Sequence, residues 1–203
     1  ENGVLFNTDK TTIVQYPAGK SLEYYDIPMG VTCIGRGAFA FARNLTHITI
    51  PEGVIGIGDN AFYSCENIEY VDFPGSLRII GVRAFSNCNT LTEIFIPTDV
   101  ESVGYGAFSD CALLKSITVD EANEEYTSDE YGVLFDKEKT VLLQYPAGSP
   151  EKTYTVPDEV TIIGNSAFSS AFELIRVDFP DTVKSIGDSA FAFCEHLKGV
   201  VIP

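Results

Sequence analysis

The sequence predicts a solenoid of class α/β: short coils stacked on a parallel strand ladder, with short helical turns on the outer side and hairpin-bearing insert coils. Three observations carry that prediction. An apolar residue followed by Pro recurs every 23 residues at Ile27, Ile50, Phe73 and Ile96, then resumes at Val156 and Phe179. Each of these six repeats carries Gly-x-x-Ala-Phe at the same place. Finally, Gly3-Val4-Leu5-Phe6 and Gln15-Tyr16-Pro17-Ala18-Gly19 return as Gly132-Val133-Leu134-Phe135 and Gln144-Tyr145-Pro146-Ala147-Gly148, at an offset of 129 throughout.

The opening coil differs from the rest. Val4-Leu5-Phe6, a polar turn, and Thr12-Ile13-Val14-Gln15-Tyr16 read as strand, turn, strand. Its copy at 133–145 turns through Asp136-Lys137-Glu138-Lys139. The chain therefore divides into variant coils at 1–26 and 119–155 and standard repeats at 27–118 and 156–201, all within one solenoid domain over 1–203.

Within a standard repeat, position 1 is the apolar residue before Pro. Pro at position 2 lacks an N–H and ends the ladder there. Val or Leu at position 5 and Ile or Val at position 8 make a second short extended run, closed by Gly at position 9, where a turn with positive φ is expected. Stretches such as Asp188-Ser189-Ala190-Phe191 then predict one or two capped helical turns. Phe39, Phe62, Phe85, Phe108, Phe168 and Phe191 occupy position 13 and are expected to stack inward as one column. Positions 19, 22 and 1, as in Leu114, Ile117 and Val119, show strand periodicity and predict the main ladder. One repeat cannot bury its own apolar face, so stacking like on like supplies the core.

Composition narrows function. Thirteen Lys and Arg against 29 Asp and Glu leave a net charge of −16, which repels nucleic-acid phosphates and anionic lipids. No apolar run approaches the roughly 18 residues of a membrane helix. The chain opens on Glu1 and its single Met is Met29, so any signal peptide and anchor are expected outside it. A stack ending at Ile202-Pro203 leaves a ladder edge open to further coils or to end-to-end pairing.

The frame from Ile50 to Asp72, I-P-x-G-V-x-x-I-G-x-x-A-F-x-x-C-x-x-L-x-x-I-x, closely resembles the BspA-type leucine-rich repeat. The G-V-L-F and Y-P-A-G elements resemble that family too, and the likeness covers about residues 3–203. It implies a right-handed leucine-rich-repeat superhelix. It also implies a secreted or cell-surface bacterial protein acting in adhesion, with a protein or glycan ligand such as a host matrix protein. A structural spacer holding another domain away from the cell is the alternative. Position 16 departs from the pattern, being Ala42 and Ala171 where other repeats carry Cys.

Candidate chemistry is sparse. Cys65, Cys88, Cys111 and Cys194 share position 16, and side chains in one column point alike, so buried free thiols are expected rather than disulfides or metal ligands. His47 and His196 lie beside no nucleophile, and no phosphate loop or hydrolase motif is present; no enzyme activity, cofactor or metal is expected. The acidic run 120–131 lacks the ligand alternation of a calcium loop and reads as a solvated loop. The ladder's solvent face, at positions 21 and 23, varies where the core does not. Tyr70, Asp72, Glu93, Phe95 and Thr118 lie there in consecutive repeats, an aromatic pair ringed by acids, and form the candidate ligand-binding set.

Overall fold

The computed structural model describes residues 3–201, so Ile202-Pro203 and the ladder edge expected there lie outside the described residues. In chain order the strands of the first half are β1 (Leu5–Phe6), β2 (Thr12–Gln15), β3 (Tyr24–Asp26), β4 (Cys33–Ile34), β5 (His47–Thr49), β6 (Gly56–Ile57), β7 (Ile79–Ile80), β8 (Glu93–Ile96) and β9 (Ser102–Val103). They continue as β10 (Ser116–Val119), β11 (Tyr126–Ser128), β12 (Leu134–Asp136), β13 (Val141–Gln144), β14 (Thr153–Thr155), β15 (Ile162–Ile163), β16 (Arg176–Asp178), β17 (Ser185–Ile186) and β18 (Gly199–Val201).

Two ladders run along the stack. The first joins positions 7 and 8. Parallel pairing of β2, β4, β6, β7 and β9 sets Ile13, Ile34, Ile57, Ile80 and Val103 opposite one another. It resumes with Leu142, Ile163 and Ile186 in β13, β15 and β17. The second ladder holds β3–β5, β8–β10 and β14–β16–β18, all parallel. It is interrupted at 69–73, which carry the expected residues but form no strand. Both predicted hairpins form: β1 pairs antiparallel with β2, and β12 with β13, with Lys10 and Lys139 at φ 56° in the turns. β11 adds a further antiparallel strand beside β12.

The outer side corrects the sequence reading. No helix occurs among the described residues, so the α/β class and the short helical turns are replaced by an all-β solenoid with turn-built outer walls. The reason is a third set of inter-coil bonds. Amides at positions 11, 13 and 15 donate to the next coil, as Gly37 to Asp59 C=O (2.9 Å), Phe39 to Ala61 C=O (2.7 Å) and Phe41 to Tyr63 C=O (2.8 Å). The amides between them close back on their own turn, as Ala38 to Gly35 and Ala40 to Gly37. A helix would commit every amide to the carbonyl four residues back in its own coil, leaving none for the neighbouring coil. Alternation demands left-handed residues at positions 11 and 15, and Asn60, Arg83, Ser166 and Ser189, then Phe41, Ser64, Asn87, Asp110, Ser170 and Phe193, have φ of 53–63°.

Gly at position 9 is also corrected, for it has no positive φ. It is needed because the coil beneath is too close. A Cβ on Gly104 would lie 2.3 Å from the Val82 amide nitrogen, and one on Gly81 2.5 Å from that of Asp59.

The aromatic column forms, in two lengths. Phe39, Phe62, Phe85 and Phe108 stack with centroids 4.8–5.9 Å apart, and Phe168 and Phe191 stack at 4.9 Å. Each length is headed by a residue outside the repeat frame: Tyr16 stacks on Phe39 at 5.0 Å and Tyr145 on Phe168 at 5.2 Å. Five of the six phenylalanines are buried, and Phe191 in the final coil is half-buried. The core divides at β12, where Leu134 packs with the first cluster while Val133 and Phe135 pack with the second. Strand alternation thus sends neighbouring residues into two cores.

Candidate ligand-binding face

The second ladder's strands turn positions 22 and 1 inward, so positions 21 and 23 face solvent by the period of two. Ile48, Ile94, Ile117 and Val177 are buried at position 22. Of the predicted set, Tyr70, Asp72, Glu93, Phe95 and Thr118 are all exposed, with Tyr70 at 49% and Phe95 at 51%. β8 and β10 put Glu93 opposite Ser116 and Phe95 opposite Thr118. Thr118 Oγ1 donates to Ile94 C=O at 3.3 Å. Tyr70 and Asp72 lie in the segment without strand, and the expected pairing of Tyr70 with Phe95 is not among the ring contacts of the described residues.

Tyr70 is instead part of another row. Its ring meets His47 edge-on at 4.8 Å, and His47 stacks on Tyr24 at 5.0 Å with planes 20° apart. Tyr24, 64% exposed, lies opposite His47 in the β3–β5 register, and Asp26 lies opposite Thr49, whose Oγ1 donates to the Asp26 carboxylate at 2.7 Å. Thr46 Oγ1 and His47 Nδ1 are bonded at 2.8 Å, which fixes the imidazole plane. The face thus runs Tyr24, His47, Tyr70 along position 21, with Asp26, Thr49, Asp72 and Phe95 along position 23. Reading the period one coil back from His47 lands on Tyr24; the hairpin in that coil hid it. The other histidine lies elsewhere, its Nδ1 2.6 Å from Phe172 C=O.

Other sequence candidates are spent on the fold. All five cysteines are free, and Cys65, Cys88 and Cys111 are buried. Their thiols donate to Phe39, Phe62 and Phe85 carbonyls at 3.0, 3.3 and 3.1 Å, one coil back. Burial pushes the Cys65 thiol up to about 12 and raises that of Cys88 well above its usual value. This explains Ala42 and Ala171. Each follows a hairpin coil, where Gln15 Nε2 already donates to Tyr16 C=O (3.0 Å) and Gln144 Nε2 to Tyr145 C=O (3.2 Å), leaving that carbonyl no need of a thiol. In the acidic run, Asp129 accepts from the Val133 amide and from the Tyr154 hydroxyl, and burial raises the Tyr154 phenol. Buried Asn123 donates to Pro97 and Val100 carbonyls. Among the described residues no three His, Cys, Asp or Glu side chains gather as metal ligands would. No described helix is long and apolar enough to cross a membrane.

Comparison with known proteins places this geometry. The model of the BspA type leucine rich repeat region matches six copies over residues 16–131 and 148–203. Among curated proteins none matches the chain. Of solved structures, a leucine rich cell surface protein from Faecalibacterium prausnitzii is 31% identical, with a TM-score of 0.74, over 95% of this chain and 55% of its own. The pneumococcal vaccine antigen PcpA shares the fold at a TM-score of 0.73 and 24% identity, over 95% of this chain and 54% of its own. A leucine rich repeat protein of T. pallidum is 26% identical, with a TM-score of 0.54, over 87% of this chain and 65% of its own. The chain spans little more than half the length of the first two.

Proposed function

Because the chain belongs to the BspA-type leucine-rich-repeat family, we propose that it is a non-catalytic interaction module of a secreted or cell-surface protein, an adhesion unit that takes a protein ligand on its second ladder. The observation that carries this reading is the row Tyr24–His47–Tyr70, exposed at both tyrosines and half-buried at the histidine, flanked by Asp26 and Asp72. Exposed aromatics held rigid by neighbouring coils lose little freedom on binding, and carboxylates beside them favour a basic partner. The net charge of −16 adds long-range attraction for such a partner. Host matrix proteins with basic surfaces fit that chemistry. Likeness to a leucine rich cell surface protein supports the location.

The test is a binding screen of this chain against matrix proteins at two salt concentrations. The proposal expects capture that weakens as salt rises and is lost in a Tyr70→Ser, Phe95→Ser double variant. No binding to any matrix protein, or binding untouched by the double variant, favours the spacer instead.

A further inference from the structure

Away from the second ladder, the position-10 and position-11 residues of five repeats line a furrow on the outer edge, with a volume of about 300 Å³. Asn60, Arg83 and Tyr105 come from before the second hairpin coil, and Asn165, Asp188 and Ser189 from after it. That hairpin coil contributes no outer turn, so residues far apart in sequence share one hollow. Tyr105 also lines two adjoining hollows, one of about 420 Å³ with Val103, Tyr126 and Leu143, the other of about 230 Å³ with Ile162 and Ile186. Its ring is 51% exposed.

We propose that this furrow binds a neutral saccharide chain, with Tyr105 as the platform under one sugar ring. The polar lining is uncommitted. The Asn60 amide, the Arg83 guanidinium, the Asp188 carboxylate and the Tyr105 hydroxyl make no hydrogen bond or ion pair among the described residues, and Asn165 uses only its oxygen, accepting from the Asp188 amide at 2.8 Å. Planar amide, guanidinium and carboxylate groups each offer two polar atoms at the spacing of vicinal hydroxyls. A sugar ring also presents an apolar C–H face, which an exposed phenol covers. Arg83 and Asp188 cancel in charge, so the lining selects no ion. An aliphatic peptide would strip water from these groups and return no partners. The hollow lies at the lower end of the roughly 300–1,000 Å³ typical of small-ligand sites, and the adjoining hollows let a longer chain continue past Tyr105.

The site is separate from the ladder face, and the test keeps them apart. Neutral tetrasaccharides of glucose, galactose, mannose and N-acetylglucosamine are titrated by calorimetry into the whole chain and its variants, with circular dichroism confirming the fold. At least one is expected to bind. Tyr105→Ala should weaken it about tenfold, Asp188→Ala should also weaken it, and Tyr105→Phe should retain it because stacking survives. Tyr70→Ser should leave it unchanged. Absence of binding by every tetrasaccharide overturns the proposal, as does binding indifferent to both Tyr105→Ala and Asp188→Ala, or lost with Tyr70→Ser.

Discussion

Ser169 Oγ donates to the Asp110 carboxylate at 2.6 Å across 59 residues of sequence, and Ser170 Oγ donates to the same oxygen at 2.8 Å. These bonds cross the place where the core divides, Phe108 belonging to one cluster and Phe168 to the other. Asp110 sits at φ 60°, so Asp110→Gly removes the acceptor without adding backbone strain. Loss of a charge-assisted bond from buried serines to this half-buried carboxylate costs about 1–3 kcal/mol. Urea unfolding of the variant should start earlier and spread over a wider range as the two halves uncouple. An unshifted transition of unchanged slope would deny that this contact couples them.

Close approach between coils predicts a sharp contrast among glycines. Gly104→Ala places a methyl 2.3 Å from the Val82 amide nitrogen, whereas an added Cβ at Gly19 meets nothing within 4 Å. The first should cost about 3 kcal/mol or more, because backbone must shift. The second should be nearly neutral. Equal thermal stability of the two variants would remove the stated reason for Gly at position 9.

How much of this was legible follows from which residues carry period. Ile34, Ile57 and Ile80 lie in register because identical coils stack best on themselves, and spacing alone reveals it; Ile13 joins them from a hairpin coil 21 residues earlier, off the period. The hairpins declared themselves through strand–turn–strand patterning. The outer turns misled because Ser, Asn and Asp serve equally as helix caps and as left-handed residues, and local sequence does not say which. Neighbouring coils decide it, through bonds such as Phe39 to Ala61 that exist only in the stack. Tyr16 and Tyr145 escaped notice as heads of the aromatic column because the hairpin coils lack the Ala-Phe frame. The candidate face is half visible in the sequence: Tyr70 and Phe95 stand out by position, but Tyr24 requires carrying the repeat into a coil that opens differently.

Burial of thiols and phenols sets the alkaline limit of stability. The Cys65 thiol rises from 9.0 to about 12 and the Tyr145 phenol from 10.0 to about 12, both through desolvation. The fold therefore favours their neutral forms. That contribution is full below the unfolded values and is lost as pH climbs from about 9 toward 12. The urea midpoint should hold steady below that window and fall within it. In the folded chain near pH 8, alkylation should reach half-buried Cys33 and Cys194 first and spare Cys65, Cys88 and Cys111 until unfolding. A midpoint that rises across this range, or five thiols reacting alike, contradicts the burial.

The two histidines offer the most direct test of the proposed ligand contact. His47 is held between Tyr24 and Tyr70 on the second ladder, while His196 lies by Phe172 in the last coil. Their imidazole ring-proton resonances, followed by NMR as the captured matrix protein is titrated in, should separate. Movement of the His47 signal with His196 unchanged is the predicted result; a stationary His47, or a shift confined to His196, would place the contact elsewhere.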